Sequence, residues 1–545
     1  MFAIIRNTAV GAPKTLIALG VFLFLFMPLL SLSQETKYEQ RYSRGNDPAA
    51  YAENSVLSSG KWIKIAVSET GVYQIGYDEL AAMGFNVQSL DPRNLSLFGN
   101  GGAMLPEGNF EPRYDDLVEN AVFVEGETDG VMNQGDALFF YGQEPGFWKY
   151  QNNRFIFQKN LFSDSTFYFL TVLDRPGKRV EVLAQAQGEP GRETAIFLDY
   201  RQHESDLENL IMSGKEWFGE ELSKAHPSET FTFNFANREA GRPLRFEMNL
   251  AGRSITESFQ FDVKANGQTI VNPIVIQQLS SGNSTHARDF TQNISFSSNA
   301  DDLSFEITID AQSDNSKAWL NYIRINSWCK LNYNPAKQLQ FRNPEVVYEN
   351  AVAKFLLSGN MTQARLWDVT HSLAPKSQQF EVNGEQMHFK ANADSIRQYV
   401  LFEKSNTLSI GSYSSVRNQN LHAIKNADML IVTHPDFIDE AHALASVHYN
   451  DDGLNSVVVD INEIYNEFGS GSPDPSAIRD FVKMYYDKYA ASATDKLKYL
   501  LLFGDASFDY KARIKGNTNL VPAFETDQSL DALATYTSDD FFGFL

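Results

Sequence analysis

The chain has 545 residues, 43% of them hydrophobic and 13% aromatic, with 41 Phe and 23 Tyr. That length exceeds one hydrophobic core and implies about three or four domains, and the aromatic load favours β-structure. A net charge of −22 excludes a nucleic-acid partner by repelling its phosphates, and a single cysteine, Cys329, excludes an intramolecular disulfide and a cysteine-based metal cluster.

Residues 1–33 open with Arg6 and Lys14, continue as an apolar run from Leu16 to Leu30, and end in Ser31-Leu32-Ser33. The order reads as a secretory signal peptide cleaved after Ser33. The competing reading is a membrane anchor, but the run is shorter than the roughly 20 residues a spanning helix needs, and Pro28 interrupts it. No cysteine stands at the cleavage point to carry a lipid. Residues 34–54 are polar and read as a flexible N-terminus.

A β-rich domain is predicted over residues 55–185. Trp62, Lys64 and Ala66 alternate with Ile63, Ile65 and Val67, and the turn Glu69-Thr70-Gly71 leads into Val72, Tyr73 and Ile75, a hairpin pattern. A short helix over 78–83 closes on Gly84, and strands follow at Leu95–Phe98, 121–125, 137–141 and 167–172. Between two of them lies an acidic loop with Glu127, Asp129, Asn133 and Asp136. A calcium loop of the EF-hand type needs oxygen ligands at alternate positions and a Glu at the twelfth, so this spacing predicts a solvated turn.

Residues 190–410 read as a second all-β unit, a jelly-roll-like sandwich. Runs of period two at 230–235, 244–250, 258–263, 294–297, 303–309 and 320–331 are joined by turns such as Ala265-Asn266-Gly267, and 364–369, 379–382 and 397–402 continue the pattern. On a regular strand Ile323, Ile325, Ser327, Cys329 and Leu331 share one face, which predicts a buried, inert thiol rather than a nucleophile.

The pattern changes near residue 425. Apolar runs at 428–433, 457–459 and Tyr499–Phe503 alternate with helices over 438–449 and from Asp474-Pro475 onward, where Asp is the N-cap and Pro the first helical residue. The order β-α-β-α-β calls for a parallel sheet with right-handed crossovers. The run Tyr499–Phe503 is expected to be a strand buried on both faces, with Gly504-Asp505 at its carboxyl end, where open α/β sheets place ligands. Asp505 reads equally as a pocket carboxylate or as a turn former, and Asp539-Asp540 as a solvated pair in preference to a pocket edge or cation site. His434 reads as a surface histidine at the end of the first strand. His442 and His448, six apart, do not fit paired ligands on a helix, and no Walker loop or GxGxxG is present. A three-stranded sheet leaves apolar surface uncovered, so the sequence reads as a fragment cut within its last domain.

Several stretches carry a resemblance. ADMLIVTHP, SVVVDINEIYNEFG, DPSAIRDFVKMYYDKYA, KYLLLFGDASFDY and TSDDFFG resemble, in order and spacing, the front half of a gingipain-type cysteine peptidase domain over 425–545. Upstream, GKWIKIAVSETGVYQIGYDEL, PRNLSLFGNGGAMLPE, GDALFFYGQ and ARLWDVT resemble the sortases of the type IX secretion system. The resemblance implies a caspase-like α/β fold and an exported cysteine endopeptidase of a Gram-negative cell surface. Such an enzyme removes C-terminal sorting signals from cargo, with an outer-membrane β-barrel as a possible partner. It implies a His in a Gly-His-Gly loop as base and a later Cys as nucleophile, both beyond the TSDDFFG segment. No His follows His448 and no Cys follows Cys329, so no catalytic residue is carried over. Gly504, Asp505 and Asp539 match motif positions as pocket-edge candidates. No cofactor is required, although the family's calcium is carried as an expectation without ligands. The alternative is a non-catalytic β-rich binding or assembly protein with a degenerate peptidase-like domain; a glycan-binding sandwich is a third reading.

Overall fold

Alternation along Trp62–Val67 and Gly71–Gly76 sends Ile63, Ile65, Tyr73 and Ile75 into one core, and the two strands end up in different sheets. The structure, a computed structural model, describes residues 51–280, 284–492, 494 and 496–545. The signal peptide expected over residues 1–33 and most of the polar N-terminus lie outside the described residues. One sheet runs in the order Tyr413–Val416, Trp62–Val67, Thr166–Val172, Leu95–Phe98, Glu119–Asn120; the other runs Leu408–Ser409, Gly71–Gly76, Ala137–Gly142, Phe123–Glu125. Ile63, Ile65, Ile75, Leu97, Phe140 and Leu170 fill the core they share. Two strands of this unit therefore arrive from beyond residue 400, with Trp62 opposite Val416 and Tyr73 opposite Leu408.

The segment between them is β-sandwich. Strands Ile196–His203, Lys317–Lys330, Leu244–Arg253 and Arg288–Phe296 form one sheet, and Ser228–Asn234, Asp302–Ile309, Phe259–Ala265 and Gln268–Ile276 form its partner. Their inner faces meet in aromatic pairs such as Phe246 stacked on Phe305 at 4.8 Å. A second pair of sheets, built around Val352–Gly359 with Gln386–Asn392 and around Arg365–Asp368 with Tyr399–Phe402, continues the same core.

From residue 429 the chain builds a three-stranded parallel sheet in the order Ser456–Asp460, Met429–Thr433, Tyr499–Phe503. The central strand Met429–Thr433 is buried throughout. The run Tyr499–Phe503, expected to be buried on both faces, is instead the edge strand: Tyr499 is 47% exposed and the other four residues are half-buried. Five consecutive apolar residues read alike for a central and an edge strand of a parallel sheet, because the pattern records faces and not neighbours. Helices Ile461–Phe468 and Pro475–Tyr489 cover one face through Ile464, Phe468, Ile478, Phe481 and Tyr485. On the other face, Ile438–Val447 buries Ala441. The predicted cap is present: Asp474 accepts from Ser476 N at 2.8 Å, with Pro475 at the first helical position. No described helix is long and apolar enough to cross a membrane, which says nothing of strands.

The β-rich part grips these helices with buried charge. Arg113 and Asp480 pair at 2.6 Å with both side chains almost fully buried. The second oxygen of Asp474 accepts from Leu105 N at 2.8 Å. His422 is fully buried, with Nδ1 2.6 Å from Glu467 and Nε2 3.3 Å from Asp115, its ring stacked on Phe468. At the end of the stretch read as a flexible arm, Tyr51 and Ala52 are anchored while Glu53 and Asn54 are exposed. The buried Tyr51 donates to Asp487 at 2.7 Å, and Ala52 N donates to Asp115 at 2.8 Å. The polar composition of that stretch concealed one tyrosine with a buried partner.

Candidate functional site

The carboxyl end of the parallel sheet is made by Thr433, Asp460 and Phe503. Thr433 is buried and donates from Oγ1 to Phe503 O at 2.8 Å, tying the central strand to the edge strand at their last residues. Asp460 caps the next helix by accepting from Asn462 N at 2.8 Å. His434 turns aside to cap Pro435–Phe437, its Nδ1 accepting from Asp436 N at 3.3 Å. His448 pairs with Asp452 at 2.8 Å, away from the strand ends.

After Phe503 the chain turns at Gly504, where a Cβ would lie 2.6 Å from Val521 Cγ2. Asp505 then holds the returning loop. Its carbonyl accepts from Leu520 N at 2.8 Å and Val521 N at 3.1 Å, and its carboxylate accepts from Thr518 Oγ1 at 2.6 Å. Of its two readings, the turn former describes these contacts. Asp539 is exposed and starts the turn Asp540–Gly543, whose Phe541 and Phe542 are buried against the helices. Partial desolvation of its carboxylate, and then the neighbouring Asp540 carboxylate, raise its pKa. No hydrogen bond or ion pair joins Asp539 to Gly504 or Asp505 among the described residues, so the three candidates share an end of the domain without forming one constellation.

The residues that shape this end are others. Asp509 is fully buried; its carboxylate accepts from Arg513 N at 2.9 Å and Ile514 N at 2.7 Å, and its carbonyl accepts from Asn517 Nδ2 at 2.5 Å. Lys511 and Arg513 reach out of the same loop to Asp164 and Asp206 of the β-rich part, at 2.7–3.3 Å, and Lys159 joins Asp206 at 2.9 Å. Phe508 stacks on Trp217, and Tyr510 meets Phe162 edge-on. Glu525, also buried, accepts from Gly214 N at 2.9 Å and Ser213 Oγ at 3.2 Å with one oxygen, and from Thr537 Oγ1 at 2.5 Å with the other. In the sequence Asp509 stands between Phe508 and Tyr510, and Glu525 belongs to an acidic segment with Asp527 and Asp531. An aromatic run with charged residues spaced through SFDYKAR was the one signal of a packed loop.

Cys329 is fully buried on the long strand Lys317–Lys330, facing inward with Ile323, Ile325, Ser327 and Leu331. Burial, with the charge of Asp199, pushes its thiol up to about 12. A thiol so held is protonated at neutral pH and is no nucleophile. In the acidic loop, Asp136 accepts from Asn133 N at 2.7 Å, Asp129 accepts from Val131 N at 3.0 Å, and Glu127 pairs with Arg179 at 2.8 Å. Among the described residues no group of three or more His, Cys, Asp or Glu side chains is placed to hold a metal ion.

A parallel sheet with helices on both faces, its loops closing over the strand ends, is a peptidase-like α/β architecture, and residues 422–545 match the model of peptidase family C25. The resemblance to gingipain-type peptidases read from the sequence is borne out by this match. The fold of the larger part of the chain is that of the crystal structure of dimeric latent PorU from Porphyromonas gingivalis. The TM-score is 0.77 and the identity 24%, over 90% of this chain and 46% of that one. The chain therefore spans about half the length of that protein. A carbohydrate-binding module, CBM36 in complex with calcium and xylotriose, is similar over 23% of this chain and 98% of that one, at 11% identity and a TM-score of 0.16, too low to bear any argument. No curated protein sequence matches.

Proposed function

We propose that this chain is the β-rich support and the first three sheet strands of a sortase-type cysteine endopeptidase, which removes C-terminal sorting signals from cargo of the type IX secretion system at the cell surface. The observation that carries the reading is the family C25 match over residues 422–545. The shared fold with PorU across the β-rich part supports it. In this reading the protein enters the export pathway through the signal peptide at residues 1–33. Its partners are exported proteins with C-terminal sorting domains and an outer-membrane β-barrel of the secretion machinery, and no cofactor is required.

The attacking thiolate and the imidazole that manages its protons belong, in this reading, to chain outside these 545 residues. Cys329 is buried and protonated, which supports that assignment. The test uses two proteins. The full reading frame, incubated with a substrate carrying a C-terminal sorting domain, is expected to release that domain in a reaction blocked by a thiol alkylator. The 545-residue chain alone is expected to release none. Absence of thiol-dependent release by the full frame overturns the sortase reading. Release by the 545-residue chain that is lost in Cys329→Ala overturns the assignment of the nucleophile.

A further inference from the structure

The loop that follows the edge strand, the segments carrying Ala523, Glu525 and Thr537, and Met212 from a sandwich loop line an open cavity of about 460 Å³. It begins at Ala506, immediately after Gly504-Asp505, at the carboxyl end of a parallel strand. Its size falls in the range of about 300–1,000 Å³ common to small-ligand sites. Both walls are held before any ligand arrives. On one side Asn209 braces its loop: Oδ1 accepts from Ser213 N at 3.1 Å, and Nδ2 donates to Gly214 O at 3.0 Å and Glu216 O at 3.2 Å. Met212 is carried there at φ +56°. On the other side Asp509 fixes Arg513 and Ile514, beside Ala512 at φ +53°. Left-handed backbone at non-glycine residues is costly and persists where the surroundings impose it, often at binding sites.

The lining states what the cavity can take. Met212 is 75% exposed and Ile514 46%, with Phe508 between the two loops. Around them stand neutral hydrogen-bonding groups, Ser507, Asn517, Thr518 and Thr537. The floor carboxylate, Glu525, already accepts from Ser213, Gly214 and Thr537. Lys515, exposed, is the one cation of the lining. No free carboxylate cluster awaits a metal, and no group of cations awaits a phosphate. A pocket that mixes the apolar side chains of Met212, Phe508 and Ile514 with amides and hydroxyls suits an apolar side chain flanked by peptide groups, and a methionine adapts to side chains of different shape.

We propose that this composite cavity is a polypeptide-binding subsite that receives one apolar side chain of an extended segment, the choice of polypeptide as ligand resting on the peptidase reading above. The sandwich thereby contributes directly to substrate selection through Met212. The probe is an end-blocked pentapeptide, Ala-Ala-photoleucine-Ala-Ala, irradiated with the 545-residue chain, with crosslinks located by mass spectrometry. Adducts are expected on Met212, Phe508 or Ile514. Met212→Arg and Ile514→Asp, both at exposed side chains, are each expected to cut the yield at least tenfold, and an Asp-centred peptide is expected not to compete. No adducts, adducts elsewhere, or yields unchanged in both variants overturn the proposal. The two readings fail separately: loss of thiol-dependent release by the full frame would leave the crosslinks in place, and loss of the crosslinks would leave release intact.

Discussion

At the scale of single residues, Gly504 shows how a motif position can be structural. Its neighbour Val521 comes within 2.6 Å of where a Cβ would stand, because the loop hung on Asp505 returns directly over the turn. Gly504→Ala forces Val521 or the loop to move, and is expected to destabilise the protein by about 1–3 kcal/mol, read as a shift in the urea midpoint with unchanged slope. The sequence made the glycine and the aspartate visible as a turn after an apolar run. It did not make visible that Asp509 and Glu525 organise the same end of the domain. A buried carboxylate is recognisable only once its donors are known, and two of the three of Glu525 come from residues 213 and 214, about three hundred positions upstream.

At the scale of elements, the helix Pro475–Tyr489 was legible from its start, since Asp-Pro before an apolar stripe specifies a capped helix. Its polar side was not. Arg479, Asp480 and Lys483 lie off the apolar stripe and would ordinarily face water, yet all three are buried, Arg479 donating to Pro106 O and Lys483 pairing with Asp487 at 2.9 Å. Arg113 supplies the charge that Asp480 needs at 2.6 Å. Arg113→Ala breaks this buried ion pair and is expected to cost about 3–5 kcal/mol, whereas Arg113→Met combined with Asp480→Leu is expected to recover most of it. Denaturant titration of the two variants against the parent chain checks both. The strands were legible as strands by their alternation. Their partners were not, because period two specifies a face and says nothing of which sheet supplies the neighbour.

At the scale of the whole molecule, the junction between β-rich and α/β parts is held by an ion cluster that titrates. Burial alone would lower the pKa of His422, but the Asp115 and Glu467 carboxylates on its two nitrogens raise it to about 9. Asp116, half-buried nearby and itself raised to about 6, adds negative charge, and Lys488 Nζ donates to the His422 carbonyl at 2.8 Å. A folded-state pKa above the ordinary 6.5 of histidine stabilises the protonated, folded form. That contribution, on the order of 3 kcal/mol, is fully present below about pH 6.5 and is lost as the pH rises through about 9. Thermal melts of the wild type are expected to fall between pH 7 and 10 by this term, and His422→Gln is expected to flatten that slope. An unchanged slope in the variant would remove His422 from the account.

The pairing of Trp62 with Val416 and of Tyr73 with Leu408 also sets an order of events. A chain that emerges from its N-terminus first presents strands Trp62–Val67 and Gly71–Gly76 without the neighbours that finish their sheets. Those neighbours follow some 340 residues later, after the whole sandwich has passed. Closing so long a loop is slow, and until it closes each sheet keeps an open edge able to recruit a foreign strand. The first domain to be made is thus among the last to be completed, and a chaperone that shields those two edges would matter most during that interval.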